Sequence, residues 1–205
     1  MISIERTEIH PLYTPKNKIR NLEVEKSRRL PNFAAMKTVF LVVGRTTDKH
    51  IEALVRDYAE RVTHYVPFEM TVIPELKNAK SLSEEMQKSR EAELIKKSLK
   101  DGDRIILLDE GGKEFRSVEF AAHLERSLAS PARRLVFIVG GPYGFAPDIY
   151  ALAHEKLSLS RMTFSHQMVR LFFVEQIYRA LTILRGEPYH LERTKEKTRH
   201  IPTEH

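Results

Sequence analysis

Cysteine is absent from the 205-residue chain, which removes disulfides, a thiolate nucleophile and cysteine-ligated zinc. Long apolar runs are missing too. Nothing approaches the roughly 20 residues that span a bilayer, and the mean hydropathy is −0.39. The opening stretch MISIERTEIH lacks the basic segment and apolar core of a secretory signal. Several catalytic signatures are wanting as well. There is neither HExxH nor a pair of histidines four apart, so zinc proteolysis has no support, and the absence of G-x-S-x-G removes the serine-esterase signature. Gly111 to Glu114 reads GGKE and lacks the Lys-Ser/Thr ending of a phosphate loop. The expected compartment is the cytoplasm.

What is present begins with charge. The net formal charge is +6 and the sequence pI about 9.5, a balance that points toward nucleic acid. Its distribution weakens that reading. Residues 1–35 hold seven basic and four acidic side chains, which is half the surplus in what reads as a tail. The same stretch carries three prolines and no convincing periodicity. Residues 1–35 and the charged residues 192–205 are therefore expected to be disordered, on either side of one folded domain over 36–191. Met36 opens the first strand and offers an alternative point of initiation.

From Met36 strands and helices alternate. KTVFLVVG (Lys37 to Gly44) is a buried-strand pattern closed by glycine. Asp48 can cap a helix carrying Ile51, Leu54, Val55, Tyr58 and Val62. FEMTVIP (Phe68 to Pro74) is a second strand, and Ser81 or Ser83 begins a charged helix to about Lys100 with one exposed face. A third strand is expected from Arg104 to Asp109, followed by a glycine-rich loop. A helix capped by Ser117 comes next, then a fourth strand from Arg134 to Val139. Pro147 suits the first turn of a short helix to about His154. LSLS (Leu157 to Ser160) reads as a fifth strand, and a helix from about Ser165 to Leu184 is ended by Gly186 and Pro188. Strands separated by helices predict a five-stranded parallel sheet, flanked by helices on both faces.

VFIVGGPYGF, Val136 to Phe145, holds three of the eight glycines. It is not G-x-G-x-x-G and it follows the fourth strand rather than the first, so a dinucleotide reading is weak. The last helix is apolar nearly all round, which demands burial on more than one side. Neighbouring helices can supply that cover, and so can a second copy of the chain. His166 and Arg170, four apart, are expected to share a face near the helix start.

Taken together, FIVGGPYG, LSLSRMTFSHQMVR, VEQIYRA and EPYHLE resemble the RlmH family of SPOUT-class methyltransferases, which act on a pseudouridine of 23S rRNA. The resemblance runs from Met36 to Glu192, with the four motifs in the family's order and spacing. It implies an α/β-knot with a C-terminal trefoil knot, a class of connectivity that periodicity does not reveal. It further implies a homodimer, S-adenosylmethionine as cofactor, no metal, and methyl transfer to N3 of pseudouridine 1915 in the large subunit or assembled 70S ribosome. By motif match the cofactor contacts fall at Leu108, Gly140 and the run Leu159, Ser160, Arg161, Met162, Thr163 and Phe164, with Gly141, Pro142 and Gly144 shaping the adjoining turn. A thioether nucleoside needs close backbone approach and an apolar wall, which these residues supply.

The resemblance also nominates catalytic residues. His190 in the PYH motif would accept the N3 proton, Tyr189 would stack on or hydrogen-bond the nucleotide, and Arg170 would steady phosphate or developing charge. The site would span the dimer, with the C-terminal segment reaching the cofactor of the partner subunit. Two departures stand out. Leu191 replaces the basic residue common after the histidine, which passes that role to Arg193 or Lys195. Tyr143 replaces an acidic residue in the turn. The alternatives are a ribosome- or RNA-binding protein without catalysis and a methyltransferase of small molecules.

Overall fold

The computed structural model describes residues 36–76 and 79–189. The tails assigned above to disorder, and with them His190, Leu191, Arg193 and Lys195, lie outside the described residues. The elements are β1 (Lys37–Val43), α1 (Lys49–Thr63), β2 (Phe68–Ile73), a 3-10 turn (Ala79–Ser81), α2 (Glu84–Ser98), β3 (Asp103–Glu114), α3 (Ser117–Leu128), β4 (Arg134–Val139), α4 (Pro147–Leu152), β5 (Glu155–Ser158) and α5 (Met168–Arg185). The five strands form one sheet in the order β2-β1-β4-β3-β5, and every pairing is parallel.

Strand periodicity sorts the core into two layers. Phe40, Val42, Ile106, Phe137 and Leu157 face a cluster with residues of α1, α3 and α5. Val39, Leu41, Ile105, Leu107 and Ile138 face a second cluster with Ala92 and Ile95 of α2 and Ile149 of α4. The first layer centres on Phe173, which is fully buried with its ring 4.8 Å from Phe40 and 4.9 Å from Phe137. Helix α5 packs against both α1 and α3. Much of its all-round apolarity is thus met within the chain, leaving Phe172 as its exposed large apolar side chain.

Local chemistry fixes the boundaries. Asp48 caps α1, its carboxylate accepting from the His50 and Ile51 amides, which holds its pKa below the usual carboxylate range. Ser83, one of the two serines expected, caps α2. Arg116 rather than Ser117 is the N-cap of α3, because the Glu119 side chain reaches back to the Arg116 N–H at 3.0 Å. Gly186 closes α5 at φ 67°, a left-handed position that glycine takes without strain. Helix α4 stops at Leu152, two residues short of expectation.

Three expectations need correction. β5 begins at Glu155, two residues before the apolar LSLS run, because Glu155 is neutralised where it sits. Its carboxylate pairs with Arg104 and lies 3.0 Å from the uncharged His123 Nε2. β3 does not end at Asp109. It loops out over residues 109–112 and pairs again, so that both Leu108 and Lys113 are partners of Leu157. A Cβ at Gly112 would lie 2.5 Å from the Leu157 backbone, so the loop depends on glycine to pass so closely over β5. Finally, α5 starts at Met168, which leaves His166 in the preceding turn rather than on a helical face with Arg170.

The Glu155 junction gives a pH prediction. Burial holds the His123 imidazole below its usual pKa, and the nearby cations Arg126, Arg104 and Lys113 add to this against the opposing pull of Glu155. A histidine whose folded pKa is depressed resists protonation only when folded. Stability is therefore lost as the pH falls through the ordinary histidine range. Denaturant titrations at pH 7 and pH 5 should show a smaller loss for His123→Leu than for the parent; identical slopes would exclude this residue as the source.

Candidate active site

β4 and β5 end on either side of the point where β3 arches out, and the three exits make the floor and walls of one cleft. In parallel α/β sheets this carboxyl edge is where ligands sit. The cleft encloses about 460 Å³, within the usual range for small-molecule sites. β3 contributes Leu108, Asp109 and Glu110. The turn after β4 contributes Gly140 to Phe145, the end of β5 Leu157 and Ser158, and the segment after it Leu159, Ser160 and Met162 to Phe164. His166 and Val169 close one side.

Of the sequence-assigned cofactor residues, Leu108, Gly140, Gly141, Leu159, Ser160, Met162, Thr163 and Phe164 all line this cleft. Arg161 does not. Its side chain is 91% exposed and turns toward Glu114 at 3.4 Å. The two glycines are sterically required. A Cβ on Gly140 would meet the Phe145 ring at 3.1 Å and the Gly144 carbonyl oxygen at 3.2 Å; one on Gly141 would lie 2.7 Å from Glu91 Oε1. Gly144, at φ 76°, donates its N–H to the Gly141 carbonyl at 3.1 Å and closes the turn. Within it, Tyr143 is about half exposed, consistent with a backbone role for that position.

Electrostatically the cleft is the reverse of a phosphate site. Among the described residues its charged lining consists of Glu84, Asp109 and Glu110, with His166 and with neither lysine nor arginine. Asp109 is held in place by the Tyr150 hydroxyl, which donates at 2.6 Å, and by the Gly111 N–H at 2.9 Å. Burial, reinforced by that carboxylate, pushes the Tyr150 phenol up to about 12. Tyr150 therefore stays a hydrogen-bond donor throughout the physiological range. Sequence reasoning missed Glu84, Asp109, Glu110 and Tyr150; no motif marks them, and the β3 excursion that brings in the two central carboxylates is not visible in hydropathy.

The structure does not bring Arg170 or Tyr189 to the cleft of the same chain. Arg170 is 1% exposed and donates to the Val43 carbonyl at 2.7 Å and to Thr46 Oγ1 at 3.0 Å. Desolvation lowers its pKa, partly offset by Glu75. In this position it ties α5 to the end of β1 and cannot meet a phosphate from solvent, which corrects the expectation above. Gln167 ties the same loop, accepting from the Thr47 and Asp48 amides at 3.0 Å. Tyr189 donates to Glu175 Oε1 at 3.0 Å and lies 3.3 Å from the Tyr58 hydroxyl. Its ring packs 4.8 Å from Tyr178 and carries the Arg179 guanidinium at 4.8 Å. Burial and these two partners raise the Tyr189 pKa, so it too keeps its proton.

A glycine turn after the fourth strand of a parallel sheet, facing an apolar and acidic wall, matches a known class. The family model described as predicted SPOUT methyltransferase covers residues 36–190. Curated relatives narrow this. A protein of Bacteroides fragilis named ribosomal RNA large subunit methyltransferase H is 60% identical over 157 residues, 77% of this chain and all of that one. The protein of the same name from Phocaeicola vulgatus is 62% identical over the same length, and that from Christiangramia forsetii is 51% identical over 154 residues, 98% of its length. The chain belongs to the ribosomal RNA large subunit methyltransferase H family.

Proposed function

We propose that this protein is an S-adenosylmethionine-dependent methyltransferase of large-subunit rRNA, acting in the cytoplasm on N3 of pseudouridine 1915 in assembled ribosomes. The observation that carries the reading is the cleft: a glycine cradle with no room for a Cβ, an apolar wall and a lining of carboxylates. These residues fit the cofactor. Gly140 presents bare backbone to a nucleoside; Leu108, Leu159, Met162 and Phe164 offer apolar cover; Asp109 and Glu110 complement a ligand carrying positive charge. When bound, the cofactor supplies an electrophilic methyl group on a cationic sulfur.

The chain's own task is positioning, water exclusion and proton handling. N3 of the target base carries a proton that must leave, and the His190 imidazole is its acceptor. Tyr189, the residue before His190 in sequence, is anchored by Tyr58 and Glu175, the latter also held by Arg179. Because that anchor stands away from the cleft of the same chain, His190 serves the partner subunit's cofactor in a homodimer paired through α5 and its exposed Phe172. Membership of the family carries with it the reading that the C-terminal part is threaded as a trefoil knot.

The direct test is methyl transfer from labelled S-adenosylmethionine to ribosomes and to deproteinised rRNA, with the modified nucleoside identified by mass spectrometry. Label should enter the large-subunit rRNA of ribosomes. Transfer to naked RNA alone would defeat the ribosome assignment, and transfer to neither would defeat the function.

A further inference from the structure

The chain of α2, EEMQKSREAELIKKS, is so charged that its carboxylates are expected to face water. Glu91 does not. It is 5% exposed, and Gln87, one turn earlier, is 7% exposed. A carboxylate in such a place costs several kcal/mol unless donors satisfy it. Gln87 Nε2 donates at 2.9 Å, and the Gly141 backbone N–H also favours the charged form, against the burial that raises the Glu91 pKa.

The same carboxylate also occupies space. A Cβ built on Gly141 would fall 2.7 Å from Glu91 Oε1 and nearer still to Oε2. The glycine is therefore required by a side chain on another element. Because a trans peptide points its N–H and the preceding C=O in opposite directions, an N–H aimed at Glu91 turns the Gly140 carbonyl away from α2. The orientation of one acceptor in the cofactor turn is thereby set from behind. Glu84, two turns earlier on α2, lines the cleft itself, so one rigid helix serves both the rim and the back of the turn.

We propose that Glu91 is a positioning residue for the cofactor turn: its buried carboxylate holds the Gly141 N–H and fills the room behind it, so that the turn is formed before the ligand arrives. This rests on the methyltransferase reading above. A turn that is preformed adds no ordering penalty to binding, whereas a loosened one reduces the apparent affinity by the fraction of molecules correctly folded there. The effect belongs to cofactor affinity and not to the rate once the site is full.

The test uses the full-length protein, with S-adenosylmethionine titrated calorimetrically and turnover measured at saturating cofactor. Glu91→Gln presents one acceptor to two donors. It should weaken cofactor affinity about tenfold, the equivalent of about 1.4 kcal/mol, with kcat within roughly threefold of the parent. The double variant Gln87→Glu with Glu91→Gln restores the pairing, since the new amide can accept from Gly141 and donate to the new carboxylate. It should recover most of the loss. Wild-type affinity in Glu91→Gln, or a double variant no better than the single one, would overturn the role. Failure of the parent protein to bind S-adenosylmethionine would instead remove the methyltransferase reading, and this role with it.

Discussion

Gly140→Val is expected to weaken S-adenosylmethionine binding at least about a hundredfold while leaving the chain folded. The site of the change is the carboxyl end of β4, where the sheet hands over to the cofactor turn. A Cβ alone would press on the Phe145 ring at 3.1 Å and the Gly144 carbonyl oxygen at 3.2 Å. The two further methyls of valine must enter the cleft or displace the turn. Overpacking of this sort costs about 1–3 kcal/mol before any ligand contact is lost, and a hundredfold is about 2.7 kcal/mol. The same overpacking should lower the thermal unfolding midpoint by several degrees while leaving the chain folded at room temperature. Calorimetric titration checks the first part and circular dichroism the second. Affinity within threefold of the parent would show that the ligand does not lie against Gly140.

His190→Ala is expected to do the opposite: to lower kcat by about a hundredfold or more, the usual scale of a lost acid–base group, with cofactor affinity within about threefold. Equal loss of both would mark a structural residue. Combining the two variants tests where the site is assembled. Neither homodimer of Gly140→Val or His190→Ala should turn over appreciably. In a dimer with one of each, an intact cofactor cleft on one subunit faces an intact histidine from the other. Equal mixing should then restore roughly a quarter of the parent activity, since about half the dimers are mixed and each has one working site. A mixture as inactive as its components would confine each site to a single chain.

Much of the layered fold was legible because buried parallel strands are written as apolar β-branched runs. KTVFLVV and RLVFIV needed no correction at all. The errors came where charge is neutralised by partners distant in sequence. Glu155 and Lys156 look like a loop, yet Glu155 lies in a strand because Arg104 meets it there. Glu91 looks solvated, yet an amide and a glycine N–H receive it. Of the residues that the family's motifs assign to the cofactor, all but Arg161 meet in one cleft. Its acidic lining was not readable, since it depends on a loop in β3 that hydropathy does not record. Arg170 misled for a related reason: basic residues near a site are taken for anion holders, while this one secures the end of β1.

The two borders of the sheet differ from its interior in a way that bears on how copies of the chain meet. One border, β2, carries Glu69, paired with Lys37, and runs into Pro74, which has no amide proton to offer. The opposite border, β5, is only four residues long and has the 109–112 arch pressed onto its backbone. Neither presents a long, bare row of amides and carbonyls to a stranger. Growth of the sheet from one molecule into the next is thus discouraged at both ends, and self-recognition is left to the helical surfaces.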